Sequence, residues 1–333
     1  MERILVIQTA FPGDAILTLP MIQKLSEKNN TNIDVIAIPS TEEIFLASPF
    51  VNEVFVLRKK SEHKSLLRTI KFARKIKKNN YSIVVSPHRS FRSALINFFV
   101  SANDSVCFDK AAFPFLYKRT VHYEENSHEV KRNFDLINFS GDWRITPIIE
   151  AQSNSQILEE IKKSVANKKV AAIAPASVWE TKKYPKEYFS EIILQLQRKK
   201  YFIVVIGGKS DAELCDYFSE TQEAKILNLC GKLSIPETIE FLKSCALLIS
   251  NDSAPTHMGV AAGIPTITLY CSTVREFGFY PYHEKGRSLS YDELDCKPCG
   301  IHGLKKCPTG TFDCGKKLFP NLVLNEIEKI EFE

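Results

Sequence analysis

Residues 249–270, ISNDSAPTHMGVAAGIPTITLY, decide how this chain folds. Residues 246–250 form a short apolar run, the pattern of a buried strand. Asn251, Asp252 and Ser253 follow at once. Short polar side chains in that position cap helices, because their oxygens accept the unsatisfied N–H groups of a first turn. The helix then covers residues 254–262, where Gly259, Ala261 and Ala262 are small enough to let it lie close on a sheet. Gly263 and Pro265 stop it, and residues 266–270 read as the next strand. Asp252, Ser253 and His257 therefore sit where the carboxyl end of a strand meets the amino terminus of a helix. In an open α/β sheet that junction is the usual seat of an anionic ligand.

The same rhythm extends in both directions. Strands at 3–8, 32–38, 53–57 and 82–86 alternate with helices at 15–27, 42–47 and 90–100 and with a basic helical segment before residue 78. The pattern weakens into a polar linker plus one helix over 141–168, then restarts with strands at 170–174, 202–206 and 225–228. Strand–helix alternation implies parallel sheets covered on both faces. The expectation is an α/β protein of two Rossmann-like doubly wound domains, residues 1–150 and 151–333, facing a central cleft.

Composition narrows the class. With 333 residues, 44% apolar and 25% charged, the chain is that of a globular protein of two ordinary domains. No apolar run reaches the ~18 residues a membrane-spanning helix needs. The opening MERILVIQTAFPGD reads as a strand and loop and not as a secretory leader, so a cytoplasmic location is expected. The net charge of +5 is unevenly spread: residues 58–78 hold ten Lys and Arg against the single acid Glu62. Apolar residues recur at helical spacing within that run, so one face is buried and the other cationic. A solvated face and an anion-facing surface both fit. Nucleic acid does not, because no aromatic interleaving or nucleic-acid motif accompanies the charge.

Of nine cysteines, Cys107, Cys215, Cys230, Cys245 and Cys271 are scattered singly and read as small buried residues. Cys296, Cys299, Cys307 and Cys314 form a C-x2-C-x7-C-x6-C cluster. Four thiolates could close a structural zinc knuckle, although the second pair lacks the tight spacing usual for that metal.

Candidate chemistry lies at strand ends. Gly13 permits a turn after the first strand and Asp14 opens the helix beyond, where a carboxylate serves either the helix dipole or general-base chemistry. Ser177 and Lys182 lie in the loop after strand 170–174, placed to meet a diphosphate. Gly207-Gly208-Lys209-Ser210 lacks the spacing of a phosphate loop, and G-x-G-x-x-G and G-x-S-x-G are missing. No D-x-D pair is present to hold a divalent ion, so no catalytic metal is expected. Leaving-group charge would fall to protein cations and helix amino termini.

Four motifs in one order, GDAILTLP (13–20), SFRSAL (90–95), PAS…TKKYP (175–185) and NDSAPTHMGVAAGIPTITLY (251–270), resemble glycosyltransferase family 9, the ADP-heptose:lipopolysaccharide heptosyltransferases. GKLSIPETIEFLKSCALLISNDS (231–253) and the four-cysteine tail look like the heptosyltransferase II branch. The resemblance implies a GT-B fold, with acceptor on the N-terminal half and nucleotide sugar on the C-terminal half. It implies inverting transfer of a heptose from ADP-heptose to a hydroxyl of the inner core on lipid A. Carried onto matching positions, Asp14 is the general base and Lys182 neutralises the departing diphosphate. Ser177 stands where the family has Thr near the nucleotide, Asp252 binds heptose hydroxyls, and Ser253, Ala254 and His257 line the diphosphate and sugar. Ala254 and Pro255 depart from the Gly-Leu or Gly-Pro of many members. Arg89, Arg92, Lys131 and Arg132 are cationic candidates for the acceptor. A phosphorylated glycolipid at the anionic cytoplasmic face of the inner membrane would also attract the basic helix. Transfer of another sugar or to another acceptor, and non-catalytic nucleotide-sugar binding, are the alternative readings.

Overall fold

Two six-stranded parallel sheets organise the chain, one in each of the compact units Met1–Glu150 and Ala151–Glu333. They are seen in a computed structural model that describes residues 2–151, 155–221 and 225–332. In the first unit β1 (Ile4–Ile7), β2 (Ile33–Ala37) and β3 (Val51–Val56) are joined by α1 (Pro12–Asn29) and α2 (Glu42–Leu46). Helix α3 (Leu66–Lys77) leads to β4 (Ile83–Ser86), and α4 (Phe91–Val100) to β5 (Asp104–Phe108). β6 (Arg119–Val121) and α5 (Glu129–Asp135) complete the unit. The order β3-β2-β1-β4-β5-β6 reverses direction between β1 and β4. At such a switch point the loops leaving neighbouring strands diverge to opposite faces and open a crevice at the carboxyl ends.

The second unit repeats the plan. After α6 (Gln156–Val165) come β7 (Val170–Ala174), α7 (Lys186–Arg198), β8 (Phe202–Val205), α8 (Ala212–Thr221) and β9 (Leu227–Asn228). Next follow α9 (Ile235–Leu242), β10 (Leu247–Asn251), α10 (Ala254–Ala262) and β11 (Thr266–Tyr270). The chain ends with β12 (Gly286–Ser290), α11 (Asp313–Lys316) and α12 (Pro320–Phe332). The sheet order is β12-β11-β10-β7-β8-β9, with the switch between β7 and β10. Leu247 and Ile249 join Ala171, Ile173, Ile267 and Leu269 in one buried cluster with Phe189, Ile192 and Val323 of the covering helices. The two-sheet α/β architecture is the expected one. Strands β5, β6 and β12 were not read from the sequence: β6 and β12 are edge strands rich in polar residues, and β5 opens with the polar pair Asp104 and Ser105.

Two local readings change. Helix α1 starts at Pro12, whose fixed φ suits a first helical position. Gly13 is therefore helical and makes no turn, and Asp14 lies in the first turn, accepting the Phe11 N–H at 3.2 Å. Cys215 and Cys230 are not separate buried residues: they form a disulfide, with Cα atoms 6.5 Å apart, that ties α8 to the loop after β9.

Helix α10 packs on β10 and β11 through Gly259, where an added Cβ would stand 2.3 Å from Thr266 Oγ1 and 2.8 Å from Leu248 Cδ2. Contact that close cannot be relieved by side-chain rotation alone, because both neighbours are buried in the sheet. Gly259→Ala is expected to destabilise the protein by about 1–3 kcal/mol, measured as a lowered urea midpoint with unchanged m-value. A variant as stable as the parent would show that α10 is free to lift from the sheet.

Candidate active site

In the second unit the site is built where β10 runs into α10. Lys182, in the loop after β7, places Nζ 2.6 Å from Asp252 Oδ2 and 3.2 Å from the Asp252 carbonyl oxygen. Thr273 Oγ1 donates to the same carboxylate oxygen at 2.7 Å. The pair is largely withdrawn from solvent, with side chains 13% and 9% exposed. Ser253 is the N-cap residue of α10, yet its hydroxyl donates back to the Asn251 carbonyl at 3.3 Å and caps nothing. The side-chain capping role read from the sequence is therefore unfilled: Thr256 N–H turns back to the Ser253 carbonyl at 3.0 Å, Pro255 has no N–H, and the Ala254 amide is left at the positive end of the helix dipole. His257, one turn further, is 5% exposed, and its Nδ1 has no hydrogen-bond partner. Burial, reinforced by the Lys182 cation, pushes its pKa down to about 3, so the ring is neutral at physiological pH. Ala254 forms the first turn and Ser177 is half-buried in the β7 loop, its Oγ accepting the Trp179 N–H at 3.4 Å.

Two supports escaped the sequence reading. Asn251 does not cap the helix. Its Oδ1 accepts the Tyr184 N–H at 2.9 Å and its Nδ2 donates to the Pro175 carbonyl at 2.7 Å, so one buried amide clasps both ends of the Lys182 loop. The second is the cysteine segment. Thr181 N–H donates to the Leu304 carbonyl at 3.1 Å, and Leu304 N–H to Thr181 Oγ1 at 2.7 Å. Ser272 Oγ donates to Thr181 Oγ1 at 2.9 Å, Cys299 N–H donates to the Ser272 carbonyl at 2.8 Å, and His302 stacks on Trp179. The segment thus walls the lysine loop. Cys296 is exposed, Cys299 and Cys307 are half-buried and Cys314 is buried; among the described residues no group of three or more His, Cys, Asp or Glu is set to hold a metal.

The first unit gathers a second cluster at the carboxyl ends of β1 and β4. Asp14 is half-buried, and its carboxyl pKa is pushed up to about 7, chiefly by desolvation and further by Glu129, against the pull of the Phe11 N–H and the Arg89 cation. His88 Nδ1 hydrogen-bonds Thr9 Oγ1 at 2.7 Å and Ser93 Oγ at 3.0 Å; burial, then Lys59 and Arg89, drives its pKa down to about 4. Lys59 donates to the Thr9 carbonyl at 2.6 Å. Applied to β4, the strand-end rule that singled out Asp14 would also have found His88.

The acceptor candidates divide. Lys131 is exposed, and Arg89 lies over the Tyr123 ring at 4.0 Å, half-buried beside the Asp14 cluster. Arg92 ties α4 to α3, donating to the carbonyls of His63 and Lys64 and to Thr69 Oγ1. Arg132 is corrected outright as a ligand contact. It is 1% exposed, donates from Nε to Glu129 at 2.7 Å and from Nη1 to the carbonyls of Glu124 and Glu125 at 3.1 Å, and packs over Tyr123. It holds Glu129 beside Asp14 and meets no solvent itself.

The family model for glycosyltransferase family 9 (heptosyltransferase) matches residues 69–305. The chain belongs to this family. It is 25% identical over 325 residues to lipooligosaccharide heptosyltransferase 2 of Campylobacter jejuni, covering 96% of both chains. The crystal structure of the family 9 glycosyl transferase of Veillonella parvula superposes with a TM-score of 0.85 at 22% identity, over 99% of this chain and 97% of that one. E. coli heptosyltransferase WaaC, solved with ADP-2-deoxy-2-fluoro heptose, gives a TM-score of 0.72 at 19% identity, over 98% and 99%. Family membership makes the protein a glycosyltransferase, and the fold is the two-unit GT-B type.

Two predictions follow from this geometry. Asp14 binds its proton more tightly folded than unfolded, so its contribution to stability is full below about pH 4 and is lost as pH rises through about 7. Asp14→Asn cannot ionise, so its melting temperature should gain on the parent from pH 4 to pH 8; a constant gap would show that the carboxyl is not perturbed. Gly303 has φ +77°, and an added Cβ would lie 3.0–3.1 Å from Ser272, Lys182 and Thr181. Gly303→Ala should cost roughly 1–3 kcal/mol in chemical unfolding and slow transfer. Normal stability would show that the cysteine segment does not bear on the lysine loop.

Proposed function

We propose that the protein moves a heptose from ADP-heptose onto a hydroxyl of the lipopolysaccharide inner core on lipid A, with inversion and without a catalytic metal. The observation that carries this reading is the α10 amino terminus: the Ala254 amide, the Lys182–Asp252 pair and the orphaned His257 Nδ1 make one largely buried, polar, partly cationic corner. Such a corner suits a diphosphate bearing a polyhydroxylated sugar. The WaaC structure with an ADP-heptose analogue and the Campylobacter lipooligosaccharide enzyme support that donor and acceptor class. On this reading residues 151–333 bind the donor and residues 1–150 the acceptor. The protein works at the cytoplasmic face of the inner membrane. Among the described residues no helix is long and apolar enough to cross it.

The chemistry divides accordingly. Asp14, with its pKa near neutrality, takes the proton of the acceptor hydroxyl as that oxygen attacks the anomeric carbon. The bond from that carbon to the diphosphate oxygen breaks, and its electron pair leaves with ADP. Lys182 and the Ala254 amide at the start of α10 meet the new charge, in a site where low solvation strengthens their effect. Asp252 has two tasks: it holds Lys182 in place before the donor arrives and accepts sugar hydroxyls once it is bound. Ser177, Ser253 and Ala254 form the surface against which the diphosphate lies. A single displacement inverts the anomeric centre. Arg89 and Lys131 are the cations left to meet acceptor phosphates or carboxylates.

Purified protein should convert ADP-heptose in the presence of a lipid A–inner core acceptor, with kcat/KM rising on the acid limb around pH 7. Asp14→Asn should lower kcat by about 10²–10⁴-fold with donor affinity kept, and chelators should leave the rate unchanged. Turnover of a different nucleotide sugar, with none of ADP-heptose, would replace the donor. Donor binding without turnover on any lipid acceptor would make the protein a binding module.

A further inference from the structure

Away from both clusters, a groove of about 840 Å³ runs along the outer edge of the first sheet. One wall is the edge strand β3, which pairs only with β2 and presents Val54, Phe55 and Val56. The other is α3, with Phe72 and Ile76 turned inward. Arg68, Lys71, Lys75 and Lys78 follow one another at three- and four-residue steps, which puts them on a single stripe along the groove, all exposed. The floor is apolar, and the rim is cationic apart from Glu62, which stands 3.8 Å from Arg58 Nε.

The rim charges are also unneutralised. Several surface lysines elsewhere are paired with carboxylates: Lys24 with Glu27, Lys162 with Glu240, Lys199 with Glu328 and Lys329 with Glu326. Among the described residues none of Arg68, Lys71, Lys75 and Lys78 has such a partner. Residues 58–78 carry ten cations and one anion, a net +9 in a chain of +5, so the remainder of the chain is at −4. Leu66 and Leu67, at the start of α3, are 47% and 80% exposed, which places apolar side chains beside the cations. A solvated helix has no need of exposed leucines, an apolar trough and an uncompensated stripe together. A surface that offers fixed negative charge above a hydrocarbon layer meets all three.

We infer that the α3–β3 edge of the first unit is a docking surface for an anionic phospholipid bilayer, with Leu67 entering the interface and the lysine stripe lying on the headgroups. Long basic side chains extend their charge to headgroups while their stems cover apolar surface. The edge strand lies under this contact and is thereby shielded from pairing with other chains. The inference deepens the membrane-face location proposed above by naming the surface that reaches it, and it requires neither the donor nor the acceptor to be correct.

Co-sedimentation with vesicles containing no glycolipid tests it. The protein should bind phosphatidylglycerol-containing vesicles, bind purely zwitterionic vesicles far less, and release as salt rises. Lys71→Glu/Lys75→Glu should weaken binding to the anionic vesicles by about 30-fold, and Leu67→Ser should weaken it further. The control Lys305→Glu/Lys306→Glu, with the same charge change on exposed residues, should bind like the parent. Melting temperature and transfer to a water-soluble, deacylated acceptor should be unchanged in every variant. Inorganic phosphate at matched ionic strength should not displace the protein; displacement would assign the stripe to free anions and overturn the inference. So would equal binding to zwitterionic vesicles, or full anionic binding by the α3 double variant. Loss of turnover on the soluble acceptor with vesicle binding intact would instead count against the proposed activity.

Discussion

The ion pair between Lys182 and Asp252 is the constraint around which the second unit is arranged. Two charges with little access to water are costly unless each is matched, and as a contribution to stability alone an apolar pair of equal volume would serve as well. Their cost is offset locally: Thr273 donates to the carboxylate, and the ammonium also reaches the Asp252 carbonyl. Everything nearby keeps the lysine from wandering. Asn251 clasps its loop from below, and the strand that carries Asn251 also carries Asp252 into position. In the role proposed for Lys182, a cation fixed this way loses little entropy when it meets a diphosphate, which is where preorganisation lowers a barrier.

The first unit solves a different problem. A base near neutral pKa needs a carboxylate that is neither freely solvated nor locked in an ion pair. In the role proposed for it, Asp14 meets this by sitting in the first turn of α1, near Glu129 but only modestly relieved by Arg89. Arg132 completes the device at one remove. By neutralising Glu129 from within the core it allows a second acid to stand close by without unfolding the corner.

Much of this was legible in the chain. The strand–helix–strand unit at 246–270 follows from an apolar run, short polar residues and a Gly-x-Pro stop, and α10 lies over 254–262 as read. Its small residues do bring the helix against the sheet, through Gly259. Asp14, Lys182 and Asp252 were flagged because strand ends are where ligands gather. What was not legible depends on distant pairing. Glu129 and Leu304 take their roles from partners far along the chain, and no local period encodes that. Arg132 misled for the same reason: in sequence it is one more cation in a polar stretch, and only the packing of Tyr123 and Glu129 around it takes it inside. The Cys215–Cys230 bridge was missed because neither residue lies in a pattern that points to the other.

The wall that Leu304 and Gly303 build behind the lysine loop also bears on the order of assembly. Thr181 belongs to the loop after the first strand of the second unit, but its partner Leu304 lies 123 residues later. α12 likewise packs on α7, the first helix after that strand. A growing chain that has just completed α10 has Lys182 and Asp252 but lacks the backing that fixes them. The contacts of the second unit are therefore not completed in chain order. The lysine loop has its full set of contacts only when the last quarter of the unit lies back over the first.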